Sequence, residues 1–226
     1  MWGTIVNVAA IVAGGLLGKI LGKGLAENMR RTVMQAIGLG VLLIGMQMAL
    51  VTQNITIVIL SLVLGGITGE LLRIQSRLDN LGLFLEGKFS REEGRNTFAK
   101  AFVTASLVYC VGAMAIMGSL ESGLTGQHQT LYAKSILDGV SAIMFSSTLG
   151  IGVAFAAVPV FIYQGFITLL ASWIQVFMTA AVIAEMKATG GLLIFGIGLN
   201  LLNITDIKVG NLLPAIVIAA VLASFF

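Results

Sequence analysis

The chain holds 226 residues, of which 58% are hydrophobic and only 10% charged, with a formal net charge of +3 and a mean hydropathy of +1.02. A soluble domain carries roughly a quarter charged residues, so this composition cannot build a water-facing surface. The basic residues flank apolar runs instead of forming a stripe with aromatics, which argues against nucleic acid as a partner, and a single cysteine, Cys110, cannot assemble a disulfide framework.

In chain order, charge-free runs occupy Met1–Gly18, Thr32–Gly69, Ala101–Leu120, Gly139–Ala184, Ala188–Thr205 and Val209–Phe226. A transmembrane helix needs about 20 mostly apolar residues. The shorter runs hold one helix each and the two long ones hold two, so the sequence predicts an all-α polytopic membrane protein with about eight spans. Met-Trp-Gly lacks a basic leader and no small-residue cleavage site ends the first run, so the first segment is expected to remain as a span. Span one, from Val6 to Leu21, carries Gly14, Gly18 and Gly22 in the register of Ala10. Span three repeats the device with Gly65 and Gly69, and the last span with Ala215, Ala219 and Ala223. Such small-residue ridges let helices pack closely.

Leu71–Lys100 is the one long polar stretch. Ile74, Leu78, Leu81 and Leu85 recur in it at helical spacing, predicting an amphipathic helix on the membrane surface. Ser90-Arg91-Glu92-Glu93 fits a capping box that would start a fresh helix. Pro159 and Gly165 flank Tyr163-Gln164, predicting a kink or interruption in span six. The segment from Trp173 to Lys187 reads as the end of span six, an interfacial helix, or a ninth span that would bring the C-terminus inside.

Lys19, Lys23, Arg30 and Arg31 lie between spans one and two, and Arg73, Arg77, Lys88, Arg91, Arg95 and Lys100 between spans three and four. Cytoplasmic loops carry such an excess, so both are expected inside. Thr52–Asn54 and Ser122–Thr130 hold no Lys or Arg, as outer loops should. An even span count then places both termini outside.

Catalytic signatures are absent: one histidine, His128, no glycine-framed nucleophile, no metal-ligand spacing and no phosphate loop. The expectation is therefore no enzyme, no cofactor and no metal. Polar residues concentrate instead in the middle, at Ser119 and Glu121, then Lys134, Asp138, Ser146 and Ser147, with glycines at 118, 123 and 150. Glycines beside hydroxyls allow a helix to unwind at membrane depth and expose backbone to a solute, and carboxylates in or near a span are functional candidates. Glu121 could equally mark the exposed end of span four, and Lys134 with Asp138, at i and i+4, a plain ion pair. Asn7, Gln47, Gln164 and Asn200 are single amides inside spans, candidates for the same path or for packing glue between helices.

At this central block the chain resembles the YqgA/YdfK-like family of bacterial membrane proteins, a family of unknown function. The matching stretches are Met1-Trp-Gly-Thr-Ile-Val-Asn7, Gly112-Ala-Met-Ala-Ile-Met-Gly-Ser-Leu-Glu121, Lys134-Ser-Ile-Leu-Asp-Gly139, Leu149-Gly-Ile-Gly-Val153 and Tyr163-Gln-Gly165. The resemblance implies a bacterial inner-membrane location and leaves the activity open, transport being the role commonly supposed.

A pattern also occurs twice. Gly38-Leu39, Ile44-Gly45, Gln47 and Asn54-Ile55-Thr56 are echoed by Gly191-Leu192, Ile197-Gly198, Asn200 and Asn203-Ile204-Thr205. In the eight-span count the copies have opposite topology, as in inverted-repeat transporters. The expected organisation is a first three-span repeat over 1–72, a cytoplasmic connector over 73–100, central spans over 101–149 and a second repeat over 150–226. The function expected is a small transporter or channel for a small solute or ion, with Asn7, Gln47, Ser119, Glu121, Asp138, Ser146, Ser147, Gln164 and Asn200 lining the path. The alternatives are a scaffold that forms homo-oligomers through its glycine ridges and, more weakly, a lipid-active enzyme using Glu121 and Asp138.

Overall fold

The computed structural model describes residues 1–22, 27–80, 97–110 and 113–225, and every regular element among them is an α-helix. Trp2–Gly22 forms α1, Glu27–Ala49 α2, Ile55–Leu71 α3 and Ile74–Asn80 α4. Thr97–Cys110 is α5, Ala113–Leu124 α6, Gln129–Leu149 α7, Gly152–Phe155 α8, Ala157–Leu169 α9 and Ala171–Ile174 α10. Ala180–Leu201, Val209–Leu212 and Pro214–Phe225 follow as α11, α12 and α13. Among the described residues, 4 stretches are long and apolar enough to cross a membrane, or up to 6 if the bent pairs α3–α4 and α5–α6 each count as one span. This is fewer than the eight expected from charge-free runs. α7 has the length, 21 residues, but its sequence carries Lys134, Asp138 and several hydroxyl residues, and the last run is divided between α12 and α13.

Local chemistry decides where helices break. α9 runs unbroken through Pro159 and Gly165, contrary to the interruption expected there. Pro159 falls in the first turn, where its missing N–H has no intrahelical acceptor to lose, and the break lies at Ala156. Gly118 and Gly123 stay helical within α6, so no unwinding occurs at that block, whereas α7 does end at Gly150, whose φ of 90° suits glycine. Of the segment Trp173–Lys187, the last part belongs to α11, which Thr179 caps by accepting the Val182 N–H. The amphipathic stretch is helical over Ile74–Asn80; Leu81, Leu85 and the capping box at Ser90 lie outside the described residues.

Two compact units form, one from Met1–Val33 and Asp79–Gln175, the other from Met34–Leu78 and Val176–Phe226. In the first, α1 and α7 run parallel. A Cβ at Gly14, Gly18 or Gly22 would collide with the backbone oxygen of Gly139, Ile143 or Ser147 respectively, so the glycine ridge is what lets the two backbones touch. α9 lies antiparallel to α1: Gly15 packs on Ala154, and a Cβ at Gly165 would stand 3.5 Å from Met1 Cε. Gly3 of α1 and Gly118 of α6 both pack on Leu131, a Cβ at either standing 2.9 Å from its side chain, while Gly123 backs onto Thr168 and Ala171. α6 therefore runs in the same direction as α9. At the opposite end Gly152 packs on Phe98, whose ring meets Phe155 edge-on at 5.2 Å.

The surface of this unit is apolar and part of its interior is polar. Leu16, Leu17 and Ile20 on α1 and Ile136, Leu137 and Val140 on α7 are exposed, whereas Thr4, Asn7, Lys134, Asp138 and Gln164 are buried. That distribution suits a helix bundle solvated by lipid, where polar side chains turn inward.

In the second unit α2 packs antiparallel to α11, and four of the contacts form two pairs that map onto each other when the two helices exchange roles. Gly45 meets Phe195 as Gly198 meets Leu42, and Gly38 meets Leu202 and Leu201 as Gly191 meets Ala49 and Met48. α3 packs antiparallel to α13 through Gly65 against Ala215, with Gly69 against Asn211. Polar latches close both ends. At one, the turn after α2 is tied to Glu185; at the other, Gln75 receives the Gly210 N–H on Oε1 at 2.9 Å and donates its own backbone N–H to Asn211 Oδ1 at 2.7 Å.

Candidate functional site

The glycine registers bring Thr4, Ser119 and Gln164, on three helices of the first unit, to one level, with the Lys134–Asp138 pair of α7 farther along α1. On α1, Thr4 and Asn7 are three residues apart and share a face. The parallel register with α7 sets that face against Lys134 and Asp138, and Asn7 comes within reach of the Asp138 carboxylate without closing a hydrogen bond of good geometry. Lys134 Nζ donates to Asp138 Oδ2 at 2.6 Å, with 7% and 9% of the two side chains exposed. Tyr109 of α5 covers the pair, its ring centroid 6.0 Å from Nζ, and Ser141 Oγ donates to its hydroxyl at 3.5 Å. On α9, Gln164 and Thr168 share a face. The antiparallel register puts Gln164 at the level of Thr4, and the parallel run of α6 puts Ser119 at the level of Gln164.

These groups are buried without partners. Thr4 Oγ1, both polar atoms of Asn7, Ser119 Oγ, both polar atoms of Gln164 and Thr168 Oγ1 make no hydrogen bond. A buried group left unsatisfied costs about 1–3 kcal/mol, so a cluster of them marks a place where something else supplies the bonds. The hydroxyls can rotate back to a carbonyl one turn earlier. The amides of Asn7 and Gln164 each carry two N–H donors as well as an acceptor, and a helix offers no local partner set for both ends.

Over residues 2–224 the sequence matches the family described as Protein of unknown function (DUF554). It is 34% identical over 227 residues to the Uncharacterized membrane protein YdfK of Bacillus subtilis (strain 168), covering 98% of this chain and 95% of that protein. It is 29% identical over 225 residues to the Uncharacterized protein YqgA of Escherichia coli (strain K12), covering 98% and 96%. The chain belongs to the DUF554 family. No solved structure matches it.

Of the residues singled out by sequence, this DUF554 protein gathers Asn7, Ser119, Asp138 and Gln164 around the polar cluster. Ser146 lies near the far end of α7 and donates to Gly15 O at 2.6 Å and Gly150 O at 3.1 Å, and Ser147 donates to Met144 O at 2.8 Å, so both hydroxyls are taken up by backbone. Glu121 is half-buried near the end of α6, where its carbonyl accepts the Thr125 hydroxyl at 2.8 Å. Beside it, Ser122 Oγ lies 2.9 Å from His128 Nδ1. Gln47 and Asn200 belong to the second unit. Gln47 is exposed on α2. Asn200 donates to Ile207 O at 2.7 Å and accepts from the Thr205 hydroxyl and the Ile207 N–H, tying down the loop that follows α11.

Three residues of this DUF554 protein escaped the sequence reading. Thr4 and Thr168 carried a legible signal, their helical spacing to Asn7 and Gln164. Glu185, 2% exposed, accepts from Thr52 Oγ1 at 2.7 Å, Gln53 N at 2.7 Å and Asn54 N at 3.0 Å. An acid near the start of a long, mostly apolar helix was its signal. Its bonds give it a structural role, holding the turn between α2 and α3 onto α11.

Proposed function

We propose that this DUF554 protein is a small secondary transporter or channel for a small solute or ion, with the path passing through the polar interior of its first unit. One observation carries the reading: the amide of Gln164, the carbonyl oxygen of Asn7 and the hydroxyls of Thr4, Ser119 and Thr168 are buried and unpartnered on helices whose outer faces are apolar. A scaffold has no use for unsatisfied polar groups, and packing would replace them with apolar ones. The Lys134–Asp138 pair and the bonds of Ser146 suit either reading; the amides favour transport. A lipid-active enzyme is disfavoured because Lys134 already engages Asp138.

The finer architecture belongs to the same proposal. Eight spans are obtained by counting α1, α2, α3–α4, α5–α6, α7, α8–α9, α11 and α12–α13. The reciprocal contacts of α2 and α11 support an inverted repeat, as do their antiparallel course and that of α1 against α9. Each repeat then contributes one span to the first unit and two to the second, with α5–α6 and α7 between them. An inner-membrane location with the N-terminus outside agrees with the first unit; the C-terminus is proposed outside from the even span count. Gly22, Ser147 and Phe98 lie at one end, Gly22 close in sequence to Lys19 and Phe98 to Lys100, and Met1 and the Lys- and Arg-free turn at Thr125–His128 lie at the other.

Flux measurements test the proposal. Liposomes containing the purified protein should dissipate a gradient of at least one small solute or salt faster than empty liposomes, and Gln164→Leu should remove the excess. Indistinguishable rates across such a panel, with the protein shown to be folded and inserted, would reject transport in favour of the scaffold.

A further inference from the structure

Resting on the reading above, the chemistry of the cluster also narrows what it takes. We infer that Thr4, Ser119 and Gln164, with Asn7 leading to the Lys134–Asp138 pair, form a site for a small polar solute of zero net charge that presents both hydrogen-bond donors and acceptors. The charges inside the cluster cancel. Lys134 and Asp138 lie 2.6 Å apart and are both buried, so neither offers an uncompensated charge to a free ion. Divalent and transition-metal ions are typically held by several carboxylates, imidazoles or thiolates, and among the described residues no group of three or more His, Cys, Asp or Glu that could hold a metal ion exists. An inorganic anion needs clustered cationic or backbone N–H donors, and Lys134 is neutralised by its neighbour.

What the cluster offers in quantity is amide and hydroxyl. Gln164 lacks a partner on both its N–H₂ and its carbonyl oxygen, and Asn7 has the Asp138 carboxylate within reach of its N–H₂ but no donor for its carbonyl oxygen, a set that a solute with adjacent donor and acceptor can satisfy. Two solute types share this chemistry: a zwitterion, whose carboxylate and ammonium can also engage Lys134 and Asp138, and an uncharged amide. In either case binding relieves the unsatisfied groups, which gives a readout that a structural role does not share. Replacing a site amide with an apolar residue of similar size should leave the empty protein as stable or more so, because it removes an unsatisfied buried group, while abolishing the response to ligand.

The test is thermal unfolding of the full-length protein in lipid nanodiscs with four probes: glycine, acetamide, sodium chloride and potassium phosphate. Glycine or acetamide should raise the midpoint by about 2 °C or more at saturation. Glycine alone identifies the zwitterion, and acetamide, with or without glycine, the amide chemistry. Gln164→Leu and the milder Ser119→Ala should hold or raise the ligand-free midpoint and lose that shift. Stabilisation by sodium or phosphate and by neither neutral probe would overturn the solute class and leave transport standing. No shift with any probe, or variants whose ligand-free midpoints fall, would overturn the site itself. Binding retained alongside zero flux in liposomes would overturn transport and not the site.

Discussion

Asp138 and Glu185 are both buried carboxylates, and their different partners predict different behaviour. Asp138 shares one ion pair with Lys134. Asp138→Asn leaves that lysine buried without its counter-charge, an expected loss of about 3–5 kcal/mol. Lys134→Met together with Asp138→Leu should recover most of the loss, because an apolar pair of similar volume replaces a desolvated ion pair at little cost. Unfolding in mixed micelles measures both, and a single Asp138→Asn variant as stable as the parent would show that the pair is not closed in the folded protein. Glu185 instead satisfies a hydroxyl and two backbone N–H groups. Glu185→Leu strands the Thr52 hydroxyl and the Gln53 N–H at about 1–3 kcal/mol each where they stay dry, the Asn54 N–H keeping Thr52 Oγ1 at 3.2 Å, and Glu185→Gln should fall in between, since its carbonyl still accepts. The Thr52–Asn54 turn is where hydrogen exchange should accelerate first.

Among the helices, the same residue type has opposite meanings at different positions. Gly18 of α1 faces the carbonyl of Ile143, and no Cβ fits between. Gly18→Leu therefore has to separate α1 from α7, and a loss of about 1–3 kcal/mol is expected from overpacking. Gly40 of α2 has nothing within 4 Å of its Cβ position. Gly40→Ala should be neutral or stabilising by about 0.5–1 kcal/mol through helix propensity. Thermal unfolding of the two variants side by side checks the contrast; equal effects would mean the ridge on α1 is not packed as described. The glycine spacing in span one was legible because close packing imposes a helical period on small residues. The position of the break near α9 was not, because a proline kinks a helix or simply begins one according to where the first turn falls.

Across the molecule, the repeated Asn-Ile-Thr provides a test of topology. Asn54 caps α3 at the end of the second unit closed by Glu185, whereas Asn203 follows α11 at the end where Asn211 and Gln75 meet. With Cys110 replaced by alanine, Gln53→Cys should react with an impermeant thiol reagent added to intact cells. Ile204→Cys and Lys88→Cys should react only after permeabilisation. Labelling of positions 53 and 204 from the same side would exclude the inverted arrangement, and rapid labelling of position 88 from outside would reverse the orientation.

Composition and charge spacing were enough to establish an all-helical membrane protein, because an unpaired backbone in lipid leaves the chain few alternatives to helix and because charges are excluded from the spans. They also marked Asn7, Ser119, Asp138 and Gln164, since a polar residue in an apolar run stands out without any knowledge of its neighbours. What a side chain meets is a different matter, set by which helices pack together and in what register. Only the tertiary structure decided that Ser146 bonds Gly15, that Asn200 ties down its own loop and that Glu185 anchors a turn more than a hundred residues away in sequence. The same packing left the amide of Gln164 without partners, because the glycine contacts that fix the height of α1, α6, α7 and α9 act between segments far apart in the chain.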